Sequence, residues 1–369
     1  MSLGIYIHMP FCKSKCNYCD FNSCAGIENL MESYCTSLMY EIKNFTQKDT
    51  VDTIYFGGGT PTYLPPSLLI DILDTVKNNF NLTYDCEITI ECNPATIDRN
   101  GLILLKKADF NRLSIGLQSC NDRILKVLGR IHSYKDFENC FNDARSAGFE
   151  NISLDLMYGL PDQTTEQWLD TLQKATAFGP EHISCYALKV EEGTPFEKMN
   201  LNLPDDDTFR EMYDNGTSYL KEQGYNLYEI SNYSKDGYES RHNSKYWKCE
   251  NFVGFGAGAY SCINNLRYSN IYKVENYIDE INKTGSAINE KTPLSDKDMM
   301  SEFCFLGLRM ANGISINEFK LRFNCEITDI FGDELTKNIK RKTIVQKNGR
   351  YIIPPEWLFV SNEILSDFV

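Results

Sequence analysis

The sequence predicts an α/β protein built on a parallel sheet, and three observations support that expectation. Six short β-rich runs alternate with amphipathic segments along the first half of the chain, the pattern that a parallel sheet with crossover helices requires. The 369 residues exceed one ordinary core and point to about two domains and a small third one. With 42% hydrophobic, 12% aromatic and 24% charged residues, the composition is globular rather than disordered or fibrous.

The strands fall at 5–8, 53–56, 86–91, 112–116, 152–157 and 183–188. Between the first pair, Ile27, Leu30, Met31, Tyr34, Cys35, Leu38 and Ile42 share one face at a period of 3.6, and Leu69, Ile72, Leu73, Val76 and Phe80 do so in the next gap. Ser133-x-x-Asp136 and Thr164-x-x-Gln167 are capping boxes that start two further helices. Gly193-Thr-Pro195 and Leu203-Pro-Asp-Asp-Asp207 end the alternation, which places a boundary between 190 and 205. A helix over 205–223 and a Tyr- and Gly-rich stretch follow. From Thr292 the pattern turns helical again, with Met299, Met300, Phe303, Leu306 and Leu308, and Tyr351-Ile-Ile353 before two prolines reads as the wing of a winged-helix-like module. The expected organisation is therefore 1–200, 201–290 and 291–369.

Acidic residues outnumber basic ones 51 to 37, a net charge of −14 that disfavours any mechanism needing a phosphate-neutralising surface, so no nucleic acid is expected as a partner. The one basic run, 337–350, reads as a solvated helix face. Gly4-Ile-Tyr-Ile-His8 is a strand without the features of a signal peptide, and no apolar run reaches the ~20 residues of a membrane span. A cytoplasmic protein with reduced thiols is expected, in which clustered cysteines are metal ligands and the scattered majority of the fourteen are small buried hydrophobes.

One such cluster follows the first strand: Phe11-Cys12-Lys-Ser-Lys-Cys16-Asn-Tyr-Cys19-Asp-Phe21. Three thiolates on a loop this short can hold three irons of a [4Fe–4S] cube and leave the fourth open to a ligand. Structural zinc is the alternative; it needs four closed ligands, and the fourth would have to be Cys24 or His8. Gly57-Gly58-Gly59-Thr60-Pro61 ends the second strand. Its glycines let a ligand touch the backbone, and its N–H groups would take a carboxylate; a plain tight turn is the other reading. Glu91 ends strand three, Gln118 strand four, and Asp155 lies in strand five. Singly these would cap helices or satisfy loops. Aligned at the C-terminal ends of successive parallel strands they mark the rim of a (β/α) barrel.

The cysteine loop, with Tyr18 before its last cysteine, and the Gly57-Gly-Gly-Thr-Pro61 turn resemble the radical S-adenosylmethionine (SAM) superfamily. Tyr6-Ile-His-Met-Pro-Phe-Cys12, Ile90-Glu-Cys-Asn-Pro94, Gly116-Leu-Gln118 and Asp155-Leu-Met-Tyr-Gly-Leu-Pro161 are similar to one branch of it. That branch holds the oxygen-independent coproporphyrinogen III dehydrogenases and the HemW heme chaperones, and the similarity spans essentially the whole chain. The resemblance implies a partial (β/α)6 TIM-like barrel with a smaller C-terminal α/β and helical domain. It implies a [4Fe–4S] cluster on Cys12, Cys16 and Cys19, and a SAM site lined by Tyr6, Gly58, Gly59, Thr60 and Glu91, with Tyr18 beside the cluster. It matches Gln118, Arg130 and Asp155 to residues that hold ribose or a second SAM. In that superfamily a reduced cluster passes an electron to the sulfonium, the C5′–S bond breaks and a 5′-deoxyadenosyl radical results.

Within the branch, the dehydrogenases carry a further cysteine where this chain has Phe21, and a long N-terminal extension where this chain starts five residues before Tyr6. Both differences favour the chaperones. Ser240-Arg-His242-Asn243-Ser-Lys-Tyr246-Trp247 matches their H-N-x-x-Y-W signature and follows Tyr228-Glu-Ile-Ser-Asn-Tyr233, and residues 225–260 hold nine aromatics. Imidazole can ligate heme iron, so His242 is the candidate heme residue, with Arg241, Lys245 or Lys248 for the propionates; local hydrogen bonding and core packing are the alternative. Tyr260 stands where many relatives have histidine. The expected function is to bind heme and deliver it to acceptor proteins, respiratory ones among the candidates, with no membrane span and peripheral membrane contact left open. Oxidative decarboxylation of coproporphyrinogen III and methyl transfer with a second SAM are the alternatives, so whether the chain is an enzyme stays open.

Overall fold

The computed structural model describes residues 2–47 and 49–369. Its six expected strands are present as β1 (Leu3–Met9), β2 (Thr50–Gly58), β3 (Asn81–Cys92), β4 (Arg112–Gln118), β5 (Asn151–Tyr158) and β6 (His182–Ala187). They pair in sequence order and in parallel. Leu3, Ile5, Ile7 and Met9 are all buried, as are His8 and Gly4, because helices or neighbouring strands cover both faces of a parallel sheet. The covering helices are α1 (Met31–Asn44), α2 (Pro66–Asn79), α3 (Arg99–Lys107), α4 (Asp122–Val127), α5 (Tyr134–Ser146) and α6 (Thr165–Ala177). Both capping boxes form: Ser133 Oγ accepts from Asp136 N at 3.2 Å while Ser133 N donates to Asp136 Oδ2 at 2.8 Å, and Thr164 and Gln167 exchange the same pair of bonds.

The sheet is longer than six strands. After α7 (Asp206–Glu222), β7 (Asn226–Glu229) and β8 (Asn232–Ser234) add antiparallel strands beside β6. Helix α8 (Arg241–Trp247) then leads to β9 (Phe252–Phe255), which lies parallel to β1 on its free side. β10 (Tyr260–Ile263), β11 (Leu266–Asn270), α9 (Val274–Thr284) and β12 (Ile288–Pro293) follow, the strands running on antiparallel. The order is β12-β11-β10-β9-β1-β2-β3-β4-β5-β6-β8-β7. The stretch 201–290, expected as a region of its own, thus supplies both flanks of the sheet begun by 1–200.

The sheet is curled but not closed. β2 and β6 are four ladders apart, ~19 Å if the sheet were flat, yet Tyr55 of β2 and Tyr186 of β6 line one cavity. The C-terminal unit packs α10 (Asp296–Gly307), α11 (Ile316–Phe323) and α12 (Ile327–Arg341) with a small sheet of β13 (Ile314–Ser315), β14 (Val345–Lys347) and β15 (Arg350–Ile352). Phe303, Phe319, Phe323 and Phe331 make its aromatic core. Arg322 ties it to the segment after α8, donating to the carbonyls of Lys248 and Cys249. Among the described residues no helix is long and apolar enough to cross a membrane.

Candidate functional site

The loop after β1 is fixed at several points. Cys12 N donates to Cys24 O at 2.9 Å and Cys24 N to Pro10 O at 2.7 Å, while Asn17 N donates to Leu128 O and Asn17 O accepts from Phe196 N. This leaves the Cys12, Cys16 and Cys19 side chains on the wall of one cavity of about 460 Å³. Burial pushes the thiols of Cys12 and Cys19 up. Thr60 Oγ1 lies 3.6 Å from Cys12 Sγ and Arg130 Nη1 donates to Cys16 Sγ at 3.7 Å. Among the described residues no three His, Cys, Asp or Glu side chains gather as the ligands of a single metal ion do. Each of the three thiolates of a cube holds a separate iron, so they stand further apart than the ligands of one ion. His8 is not a fourth zinc ligand: its Nε2 bonds Asn22 O at 2.8 Å and its Nδ1 the Tyr6 hydroxyl at 3.0 Å. The donor set therefore fits a three-cysteine cluster.

The glycine turn differs from expectation in one respect. Gly58 N donates to Glu91 Oε2 at 3.2 Å, Gly59 N to Met9 O and Thr60 N to Phe11 O, both at 2.8 Å. These N–H groups are consumed inside the protein, one of them by the protein's own Glu91 carboxylate, and are not free for that of a ligand. The glycines serve close approach instead: a Cβ on Gly59 would stand 2.8 Å from Phe11 O, 2.9 Å from Met9 O and 3.1 Å from Cys12 Sγ. The acceptor beside the turn on the cavity wall is the Glu91 carboxylate, which suits an ammonium group.

Gly58, Gly59, Thr60, Glu91, Gln118, Arg130, Asp155 and Tyr18 all line the same cavity as the cysteines. Glu91 accepts from Tyr55 Oη at 2.8 Å, and burial raises its carboxyl to about 7. Asp155 accepts from Ser114 Oγ at 3.1 Å, and burial raises it too. Gln118 sits at a register shift against β5 with φ at +65°, a left-handed conformation that costs a non-glycine residue ~1 kcal/mol or more. Arg130 Nη2 donates to Gly116 O at 2.7 Å.

Two expected residues lie elsewhere. Tyr6 does not line the cavity; its ring stacks behind Tyr55 at 6.3 Å between centroids. His242 is 1% exposed, with Nδ1 bonded to Thr53 Oγ1 at 2.9 Å and Nε2 to Tyr246 Oη at 2.8 Å. Its ring stacks on Tyr55 at 5.2 Å, and burial with the nearby Lys245 lowers its pKa to about 3. Both nitrogens are committed to protein hydroxyls, so in this structure His242 stands as a neutral strut with no nitrogen left free for an iron. Its neighbour Asn243 reaches the cavity wall instead. Lys245, expected near a propionate, is buried and ion-paired to Asp52 and Glu250. Sequence reasoning missed Tyr55, Arg112, Ser114, His182, Ser184 and Tyr186 as cavity residues. The period of two along β4 and β6 carried that information.

A three-cysteine loop and a glycine turn at the C-terminal rim of a curled parallel sheet define a radical SAM protein, and the model of the Radical SAM superfamily matches residues 6–175. A second model, the HemN C-terminal domain, matches residues 294–356. Along its length the chain is 35% identical to the heme chaperone HemW of Bacillus subtilis (strain 168), over 99% of this chain and 98% of that one. It is 33% identical to HemW of Lactococcus lactis subsp. lactis (strain IL1403), over 99% and 96%, and 33% identical to the mouse mitochondrial radical S-adenosyl methionine domain-containing protein 1, over 89% and 78%. The chain belongs to the HemW family of radical SAM proteins. The solved structure of the Escherichia coli coproporphyrinogen III oxidase HemN, described as a radical SAM enzyme, superposes with a TM-score of 0.89 at 22% identity, covering 100% of this chain and 90% of that one. That likeness establishes the fold.

Proposed function

We propose that the protein binds heme and passes it to acceptor proteins, and that it carries a [4Fe–4S] cluster and SAM at the rim cavity. One observation carries the reading: similarity to heme chaperones runs the full length of the chain, at clearly higher identity than the likeness to the oxidase of the same fold. That difference favours heme delivery over oxidative decarboxylation or methyl transfer. The acceptors are proteins that need heme, respiratory ones among the candidates. Fourteen free cysteines suit the reducing cytoplasm in which we place the chain.

In this reading Cys12, Cys16 and Cys19 hold the cluster. When bound, a reduced cluster of this kind supplies an electron to the sulfonium of SAM. The protein's own groups bind and orient. Glu91, clasped by Tyr55 and Gly58, offers a carboxylate edge to an ammonium group, whose charge would return the buried carboxyl to its ionised form. Thr60 steadies the sulfur of Cys12 and Arg130 that of Cys16. Gln118 and Asp155 present hydrogen-bonding groups suited to ribose hydroxyls.

The test is anaerobic cluster reconstitution followed by parallel titration with hemin and incubation with SAM and coproporphyrinogen III. Tight 1:1 hemin binding without protoporphyrinogen IX supports the reading; formation of that product overturns it.

A further inference from the structure

Strand β4 turns Arg112, Ser114, Gly116 and Gln118 toward the cavity. Gln118 stands at the rim, while Arg112 begins the strand, roughly 20 Å of chain below it. The ladder register fixes the levels: Glu91 pairs with Ser114, whereas Arg112 pairs with Thr89 and Asn151, one pleat repeat deeper. Arg112 is 2% exposed. Its guanidinium makes no hydrogen bond and no ion pair with any described residue, and its Nε is a buried nitrogen without a partner. A guanidinium out of water with no hydrogen-bonded anion is expensive, and only the through-space fields of Glu91 and Asp155, whose carboxyls its charge draws down against burial, offset that cost.

The acids near it are engaged elsewhere. Asp155 takes the Ser114 hydroxyl, and Glu91 takes Tyr55 and Gly58 N. His182, at the ladder level of Ser114 and Glu91, is bonded through Nδ1 to Ser153 Oγ and through Nε2 to Tyr228 Oη, both at 2.8 Å, and burial keeps it neutral. The floor of the cavity therefore holds a preorganised cation whose fork of donors fits a carboxylate. The cysteines, the glycine turn and Glu91 lie above this level, so the floor is separate from the groups that suit SAM. At the mouth, Phe21 is 62% and Tyr186 41% exposed while lining the same cavity, offering aromatic faces to a flat ligand.

We propose that Arg112 is the receptor for a ligand carboxylate at the closed end of the cavity. Resting on the heme reading above, that carboxylate is a propionate of the tetrapyrrole, which enters edge-first with its ring toward Phe21 and Tyr186.

The test uses the full chain with its cluster reconstituted, titrated anaerobically with hemin and with hemin dimethyl ester, whose propionates are blocked. The wild-type protein should prefer hemin by about ten- to hundredfold, the scale of a charge-assisted pair. Arg112→Gln should bring hemin down to the affinity of the ester while iron content and SAM affinity stay within about twofold of the wild type, and Arg112→Lys should fall between. Retention of the preference in Arg112→Gln overturns the proposal. So does a loss of SAM binding in place of hemin binding, which would give the guanidinium to the carboxylate of SAM. Should Arg112→Gln not fold, Arg112→Lys decides: its preference must drop severalfold, and an unchanged ratio sinks the idea. Equal binding of hemin and ester by the wild type refutes the role of Arg112 alone, whereas no hemin binding at all refutes the heme reading and the propionate assignment together.

Discussion

Replacing His242 by alanine separates a strut from a ligand. The imidazole bridges Thr53 Oγ1 and Tyr246 Oη and stacks on Tyr55. Its removal strands two interior hydroxyls, at ~1–3 kcal/mol each, and opens a cavity. The sum is about 3–5 kcal/mol. Unfolding entropy scales at ~2.1 cal/mol/K per residue, so for 369 residues it comes to roughly 0.8 kcal/mol/K. The melting temperature should therefore fall by about 4–6 °C, followed by near-UV circular dichroism. Hemin affinity, titrated well below that temperature, should stay within about twofold. A variant with an unchanged melting curve and a tenfold or greater loss of hemin affinity would refute the argument and restore His242 as a ligand.

Alanine at Cys12, Cys16 or Cys19 should each abolish the cluster, read as loss of iron and acid-labile sulfide after anaerobic reconstitution. Gly59→Ala places a Cβ against two backbone carbonyls that cannot yield cheaply, so it should cost ~1–3 kcal/mol and weaken SAM binding in calorimetry. Glu41, which accepts from Tyr277 Oη and Asn270 Nδ2 at 2.6 Å and from Gly256 N at 2.9 Å, is raised by burial to about 7. A carboxyl with its folded pKa above its unfolded one makes the native state bind the extra proton, so its contribution is full below ~4.5 and is lost as pH rises through about 7. Glu41→Gln should therefore flatten the stability profile between those limits by up to ~3 kcal/mol, measured by urea unfolding at a series of pH values.

The parallel strands and capped helices were legible because their signals are local: period-two or continuous apolar runs, and caps three residues apart. The flanks of the sheet were not. β9 is four residues whose register with β1 is set by contacts some 250 positions away in sequence, and no local pattern encodes a partner at that distance. The cavity followed the same division. Cys12, Cys16, Cys19, Glu91 and Asp155 were visible as chemistry placed at strand ends, and the structure gathers them. His242 and Asn243 are adjacent in one motif, and only the helical rotation of α8 decides which one turns inward to Thr53 and which reaches the cavity. The N–H groups of the glycine turn looked free because their acceptors, Met9 O and Phe11 O, belong to another segment. Arg112 was hidden by its position at the far end of its strand from the rim, although the period of two puts it on the same face as Ser114 and Gln118.

β1 takes β9 as its outer neighbour, and β6 takes β8. β9 is translated long after the strand it covers, so the nascent chain must hold β1 with one side bare until residue 252 leaves the ribosome. At ~5–20 residues per second that wait is roughly 12–50 s. Through that interval the cysteine loop is already synthesised while Asn22, which later anchors it by donating to the carbonyls of Ala257 and Tyr272, has nothing to hold. The final anchor of the cysteine loop thus comes from the last third of the polypeptide.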